Sequence, residues 1–257
     1  MRITVIGSGS AFSGLNRYNS CYFVEAGDNK FLIDCGSDAL RAIQAAGLQD
    51  SVVNLFSIQE IFITHMHADH CGGIPAVLTA MHVLGRKDPI RIHIPTTQLA
   101  FAKTWLDNLF IYNDRMSFEV LLLPLDEGTT KLRGGVELEF VKTKHLGKYL
   151  ESAEKAGVRP LSFSVAVVEG KKRFFFSSDV SSLDEVESGI GGSVSLIEAA
   201  HPKLEEIARL SKNDNPGLFF THIPQELEAG GEWMAELTSK FGVRNLNMVR
   251  DGQVLIV

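Results

Sequence analysis

The stretch Thr64-His65-Met66-His67-Ala68-Asp69-His70-Cys71-Gly72-Gly73 carries three histidines and an aspartate within six positions, directly after the apolar run Ile61-Phe62-Ile63. Imidazole nitrogen and carboxylate oxygen are the ligands that borderline divalent ions such as zinc select. His65 and His67, two apart, reach the same side of an extended chain, and Asp69 and His70 follow where the backbone turns toward the glycines. A lone histidine more often belongs to a surface loop. Four ligand-type side chains packed at the end of a buried-type strand point to a metal site instead.

This H-x-H-x-D-H pattern after an apolar strand resembles the signature of the metallo-β-lactamase fold superfamily. The resemblance implies, in chain order, an early Asp at a strand end, the histidine loop, an isolated His, a bridging Asp and a final His. Asp34 closes Phe31-Leu32-Ile33, His145 follows the alternating segment 138–144, Asp179 follows Arg173-Phe174-Phe175-Phe176-Ser177-Ser178, and His222 ends Gly217-Leu218-Phe219-Phe220-Thr221. Taken singly, each has an ordinary explanation as a turn residue, a loop histidine or a cap. Together and in this order they match the family pattern, and the resemblance implies that His65, His67 and His145 hold one metal ion. Asp69, His70 and His222 would hold a second, Asp179 would bridge the two, and Asp34 would orient the ligands from behind.

The elements that must position these residues alternate along the chain. Strand-like runs cover 2–6, 20–25 and 30–34, the last two joined through the turn Gly27-Asp28. Helical patterns cover Asp38 to Gly47, Ile74 to Leu84 with Pro75 in the first turn, and Gln98 to Leu109, with a strand over 91–94. A second half of the same plan reads as strands near 118–123, 136–142, 162–169 and 172–177, a helix from His201 to Ser211, a strand over 217–221, a helix from Gly231 to Phe241 and a closing strand over 253–257. Periodicity alone supports an α/β or α+β class; the resemblance specifies the four-layer αββα sandwich. The aromatic segment 103–112 reads as core and rim packing, with a lid or dimer surface as the alternative.

Composition fits one domain spanning 1–257. The chain is 45% hydrophobic with a formal net charge of -6, and its mean hydropathy is +0.07. The start, Met1 to Gly7, reads as a strand entering a turn and not as a signal segment, and no apolar run reaches the roughly 18 residues a membrane span needs, so a cytoplasmic protein with no membrane partner is expected. Cys21, Cys35 and Cys71 have no C-x-x-C spacing, which argues against a disulfide framework or a cysteine zinc site. Gly7-Ser8-Gly9-Ser10-Ala11-Phe12 lacks the third glycine and the following helix of a dinucleotide-binding turn.

Within the superfamily the chain is similar to the ribonuclease Z branch. The Gly-rich start with Asn19-Ser20, the run from Gly72 through Pro95, the segment Leu161 to Val165, and His201 before His222 carry that likeness. In that branch a histidine at the place of His201 assists the leaving group, so Asp69 and His201 are the expected catalytic residues, with Asp69 orienting a hydroxide activated between the metals. The expected cofactors are two divalent ions, zinc first, manganese next and iron last. The departures are informative. Bacterial ribonuclease Z carries a long tRNA-gripping arm between the isolated His and the bridging Asp, whereas here only Leu146 to Ser178 intervenes. The pI near 5.8 is also a poor footprint for a large polyanion. Lys142, Lys144 and Lys148 around His145 read as a solvated face, with a small basic patch as the alternative. The expected activity is therefore hydrolysis of a small phosphodiester or nucleotide-type substrate, not tRNA. A thioester, lactone or lactam hydrolase is the alternative, a non-catalytic metal-bound ligand sensor stands behind both, and a homodimer is compatible.

Overall fold

Strands whose two faces meet different cores determine the architecture. In Phe174-Phe175-Phe176, the first and third phenylalanines enter the core between two sheets, and Phe175 enters a separate core on the outer side. Tyr22 and Val24 likewise point inward while Phe23 points outward. Successive side chains of a strand face opposite ways, so a strand apolar on both faces needs a layer on each side of it.

In the computed structural model, residues 1–191, 194–212, 215–228 and 231–257 are described. The first sheet is built from β1 (Arg2–Gly7), β2 (Cys21–Ala26), β3 (Asn29–Ile33), β4 (Glu60–Phe62), β5 (Ile90–Pro95) and β6 (Val120–Leu125). The second contains β7 (Gly128–Lys131), β8 (Val136–Lys142), β9 (Phe163–Glu169), β10 (Lys172–Phe176), β11 (Val194–Glu198) and β12 (Leu218–Thr221). The last strand, β13 (Val254–Ile256), returns to the first sheet beside β1. The orders are β13-β1-β2-β3-β4-β5-β6 and β12-β11-β10-β9-β8-β7.

Helices α1 (Ala39–Gln49), α2 (Ala68–Cys71), α3 (Ile74–Val83) and α4 (Leu99–Asn108) fall in the first half, and α5 (Leu150–Lys155), α6 (Leu204–Ser211) and α7 (Glu232–Phe241) in the second. Side chains of α1, α3 and α4 share a core with the outer face of the first sheet, and those of α6 and α7 with the outer face of the second. The result is the expected αββα sandwich. Among the described residues no helix is long and apolar enough to cross a membrane.

Strand direction places the site. β3 through β6 run parallel, as do β10, β11 and β12, and β8 runs the same way as β10 because each is antiparallel to β9. The ends of β3, β4, β8, β10, β11 and β12 therefore all deliver their next residues to one edge of the sandwich. A crevice beyond the carboxyl ends of strands is the usual place for a ligand site in such sheets.

Two sequence expectations shift. The strand expected near 118–123 as part of the second half is β6, and it pairs in parallel with β5 of the first sheet, Ile90 opposite Val120. Helix α4 lies between the two and packs on the first core, the usual crossover for a parallel pair. The helix expected from His201 begins at Leu204, because Pro202 disfavours helical backbone at the residue before it.

The inter-sheet core should dominate stability. Phe62 is fully buried, stacks on His93 at 4.1 Å, meets Phe31 edge-on at 5.5 Å and lies two residues before Thr64. Phe62→Ala is expected to destabilise the fold by about 3–5 kcal/mol, measured as a lower midpoint in urea.

Candidate metal centre

The end of β4 begins the site. Residues 63–67 continue without helix, His67 takes extended dihedrals at the N-terminus of the short helix α2, and α2 carries Asp69 and His70. The turn is tight. A side chain on Gly36 would come within 2.4 Å of the Asp69 carbonyl, and one on Gly73 within 2.2 Å of the Gly36 carbonyl, so both positions need glycine for contact reasons alone.

The side chains gather as two clusters. In the first, His67 Nδ1 lies 3.1 Å from His65 Nε2 and 3.2 Å from His145 Nε2, while Asp179 Oδ2 lies 3.7 Å from His65 Nε2 and 3.5 Å from His145 Nε2. In the second, Asp69 Oδ2 lies 3.7 Å from both His70 Nε2 and His222 Nε2. Asp179 joins them, with Oδ1 3.2 Å from His70 Nε2 and Oδ2 3.5 Å from His222 Nε2. Zinc–nitrogen bonds of about 2.0–2.1 Å in a tetrahedral site set neighbouring ligand atoms about 3.3–3.4 Å apart. The observed separations bracket that value. Among the described residues, both carboxylate oxygens of Asp179 and His70 Nε2 are buried without a hydrogen-bond partner, the condition of groups whose partner is a cation. The residues therefore fit metal ions, and every ligand position expected from the sequence is brought into one of the two clusters.

A layer of polar groups aims the ligands. Asp34, fully buried, accepts from the Thr64 amide at 2.8 Å and the Thr64 hydroxyl at 3.0 Å, and from His70 Nδ1–H at 2.7 Å. An ionised carboxylate only accepts, so His70 carries a proton on Nδ1 and turns Nε2 toward the centre. The Thr64 hydroxyl, having donated to Asp34, accepts from Ser178 Oγ at 2.8 Å and lies 3.2 Å from His65 Nδ1. Ser20 Oγ, from the Asn19-Ser20 pair, lies 2.9 Å from His222 Nδ1. Asp34, Ser178 and His222 adopt φ of 59°, 50° and 53°. Left-handed backbone at non-glycine residues costs on the order of 1–3 kcal/mol each and collects where a site requires it.

Charge follows from burial. Burial holds the imidazolium of His65 well below its ordinary range, and burial, aided by His201 and His67, brings His145 down to about 3. Burial also works against a charged His70, but Asp179 and Asp34 outweigh it and the net direction is upward. For Asp179 burial opposes ionisation, and the surrounding His222, His70 and His65 reverse this and hold the carboxyl well below its usual range. Within the first cluster the Asp179 carboxyl is thus held toward its ionised form and the imidazoles of His65, His67 and His145 toward their neutral forms, the states in which such groups can bind a cation.

His201 lies in the loop before α6, about one third exposed, with Nδ1 3.0 and 3.2 Å from the two carboxylate oxygens of Glu198. Burial lowers its pKa, and the Glu198 contact more than restores it, so His201 titrates above its ordinary value. His201 Nδ1 also approaches Asp179 Oδ2 to 3.5 Å, so His201, Asp179 and His222 form a further group able to hold an ion. Glu198 itself, fully buried and accepting from the Val180, Ala200 and His201 amides, escapes the sequence reading. Its signal is the one that finds the others, a lone carboxylate ending an apolar run, Leu196-Ile197-Glu198.

The ligand edges open into a cleft of about 390 Å³ lined also by Ser10, Lys148, Tyr149 and Ala200. Lys148 thus faces the site, while Lys142 pairs with Glu127 on the surface, so the three lysines are not one solvated face. A larger cavity, about 870 Å³, is lined by Phe12, Arg17, Glu228 and Asp251 among others and contains none of the ligand side chains. Cys71 is buried, its thiol pushed up to about 12 by burial, and it belongs to neither cluster.

Asp34→Asn keeps the shape at this position but removes the charge that holds His70. It is expected to weaken zinc binding by about 10- to 100-fold, read by competition with a chromogenic chelator, with little change in helix and strand content by circular dichroism.

The family described as Anti-Pycsar protein Apyc1 matches residues 1–213 of the chain. The ribonuclease Z of Methanosarcina acetivorans is 28% identical over 164 residues, 64% of this chain and 51% of that protein. That of Myxococcus xanthus is 30% identical over 168 residues, 65% of this chain and 52% of that protein. The chain spans about half the length of these curated relatives. Among solved structures, Zn(2+)-bound PqqB from Methylobacterium extorquens superposes with a TM-score of 0.74 at 15% identity, covering 100% of both chains, a likeness of fold. With the family match extending over most of its length, the chain belongs to the Anti-Pycsar protein Apyc1 family, in the ribonuclease Z-like branch of the metallo-β-lactamase superfamily.

Proposed function

We propose that the protein is a dinuclear-metal-dependent phosphodiesterase acting on a small phosphodiester or nucleotide-type substrate. The observation that carries this reading is the pair of ligand clusters joined at Asp179, set in one cleft with His201 and its Glu198 partner. His65, His67, His145 and Asp179 would hold one ion and Asp69, His70, His222 and Asp179 the other, zinc being the expected metal for so many imidazoles. When bound, two such ions supply Lewis-acid stabilisation of charge on a phosphoryl group and water of lowered pKa.

The remaining work belongs to the chain. Asp69 lies on the cleft, where its second carboxylate oxygen can accept a hydrogen bond from the attacking water and orient it. Glu198 engages His201 Nδ1 and leaves Nε2 as the atom able to pass a proton to the departing oxygen. The relatives named ribonuclease Z support phosphodiester chemistry. The size of the substrate is argued from what lies between His145 and Asp179: short helical turns, α5 and the β9–β10 pair, with no extended arm to grip a folded RNA.

The test is turnover by zinc- or manganese-loaded protein of bis(p-nitrophenyl) phosphate and a 3′,5′-cyclic nucleotide, set against a thioester and a lactone. Phosphodiester hydrolysis is expected; thioester turnover without it would reject the reading. His201→Gln should lower kcat about 10²- to 10⁴-fold on the cyclic nucleotide, whose alkoxide leaving group needs a proton. The loss on bis(p-nitrophenyl) phosphate should be much smaller, since p-nitrophenolate leaves unprotonated. Equal losses on both would argue that His201 acts as a ligand, and a fall in bound zinc would confirm that.

A further inference from the structure

The connection between β1 and β2 grips the end of a distant strand. Residues 8–19 form a strap closed on itself, the Gly9 amide donating to the Tyr18 carbonyl and Asn19 Nδ2 to the Ser10 carbonyl, each at 2.8 Å. A side chain on Gly7 would come within 1.9 Å of the Asn19 carbonyl, so the two ends of the strap pass in contact. Ile223, the residue after His222, donates its amide to the Ser8 carbonyl at 2.9 Å, and its carbonyl accepts from the Ser10 amide at 3.3 Å. Ser20, where the strap ends, sets its hydroxyl 2.9 Å from His222 Nδ1. His222 has left-handed backbone, φ 53°, and the strap holds it through its ring and through the residue that follows.

The strap is itself held by a carboxylate from the far end of the chain. Asp251 lies in the segment 247–253, which crosses from β12 to β1. The Phe220 amide donates to the Asn247 carbonyl at 2.8 Å and the Val249 amide to the Phe220 carbonyl at 2.9 Å, while the Gly252 amide reaches the Val5 carbonyl at 2.7 Å. From this crossing Asp251 Oδ1 accepts from the Ser8 amide at 2.9 Å and the Ser8 hydroxyl at 2.5 Å, and Oδ2 accepts from the Tyr18 amide at 2.6 Å. Arg17 braces the same corner, Nη1 donating to Ser8 Oγ and to the Val249 carbonyl, each at 2.6 Å. Ser8 and Tyr18 stand at the two ends of the strap, so one side chain clamps both. Only a carboxylate offers an acceptor oxygen to each end; an amide would turn a donor toward one of them. Backbone bonds already fix 247–253 to β12 and β1, and the Asp251 side chain reaches past them to the strap.

We infer that Asp251 is a positioning residue for His222, acting through the strap on the ion that Asp69, His70 and His222 would hold. This rests on the two-ion reading above and adds to it a constraint from the end of the chain. The other ion should feel little of it, because the hydrogen bonds described for His65 and His145 lead to Thr64 and His67 and not to the strap. Groups that orient metal ligands from behind change affinity about 10- to 100-fold when removed. Asp251 acts through intervening backbone, which places its effect at the low end of that range.

The experiment is zinc titration of the full chain in competition with a chromogenic chelator, with His222→Ala marking which of the two zinc equivalents belongs to His222. Asp251→Asn should weaken that equivalent about tenfold and leave the other unchanged. Ser8→Ala, which removes one of the three bonds and keeps the backbone, should give a smaller change in the same direction. Leu106→Ala, which opens a cavity in the core under α4 and lowers the urea midpoint without touching the strap, should leave both equivalents unchanged, and so separates positioning from a general loss of stability. Hydrogen exchange on the metal-free chain supplies a second readout: Asp251→Asn should speed exchange of the Ile223 amide, while the Thr64 amide, held by Asp34, keeps its rate. Zinc bound by Asp251→Asn as tightly as by wild type, an equal loss at both equivalents, or an unchanged Ile223 rate would overturn the proposal. A wild type that binds fewer than two zinc ions would reject the two-ion reading instead, and the Ile223 rate would still decide whether Asp251 governs the backbone at His222.

Discussion

The carboxylate of Asp34 is the contact on which the centre depends. It lies at the end of β3, out of reach of solvent, and its three donors come from the end of β4 and from α2. A buried carboxylate is tolerable only when its lone pairs are filled, so these bonds must form together. Once formed, they fix where β4 ends, how the histidine loop leaves it, and which nitrogen His70 turns inward. Through the Thr64 hydroxyl the constraint passes to His65 and to Ser178, and so to the second sheet.

The arrangement opposes itself electrostatically. Carboxylates and imidazole edges converge to 3.1–3.7 Å, and three buried polar atoms of Asp179 and His70 have no partner among the described residues. Leaving a buried polar atom unmet costs about 1–3 kcal/mol, and the left-handed residues at the strand ends add costs of the same order. What offsets them is the sandwich. Cores on both faces of both sheets hold the strand ends in place, so the ligands cannot relax apart without pulling phenylalanines out of the apolar layers. A centre strained in this way is set up to gain from a cation, and the same rigidity keeps His201 and Glu198 in register with it.

Much of the site is legible in the chain because the residues gathered there follow a local rule. Each sits where an apolar run stops, and a strand that ends at the sheet edge must hand its next residue to that edge. His65, His67, Asp69 and His70 need only a strand and a turn to be recognised, being adjacent in sequence. Asp34, His145, Asp179 and His222 are recognisable from the same placement at strand ends, given the family pattern. Glu198 obeys the rule equally and is lost because it is a single acidic residue in a run otherwise read as packing. Lys148 is misread for the opposite reason: three lysines near one histidine look like a solvated face until the backbone turn at 145–149 sends one of them to the cleft.

By itself, then, the sequence determined the residue types gathered at the site, their order, and the alternation of apolar faces that requires four layers, because these are set by neighbours along the chain. Tertiary structure alone decided which sheet β6 joins, that Glu198 holds His201, that Lys148 faces the cleft, and that Tyr149 stands over the metal loop. Those relations link residues tens to hundreds of positions apart. They arise from sheet pairing and from the packing of one sheet on the other, which no local spacing encodes.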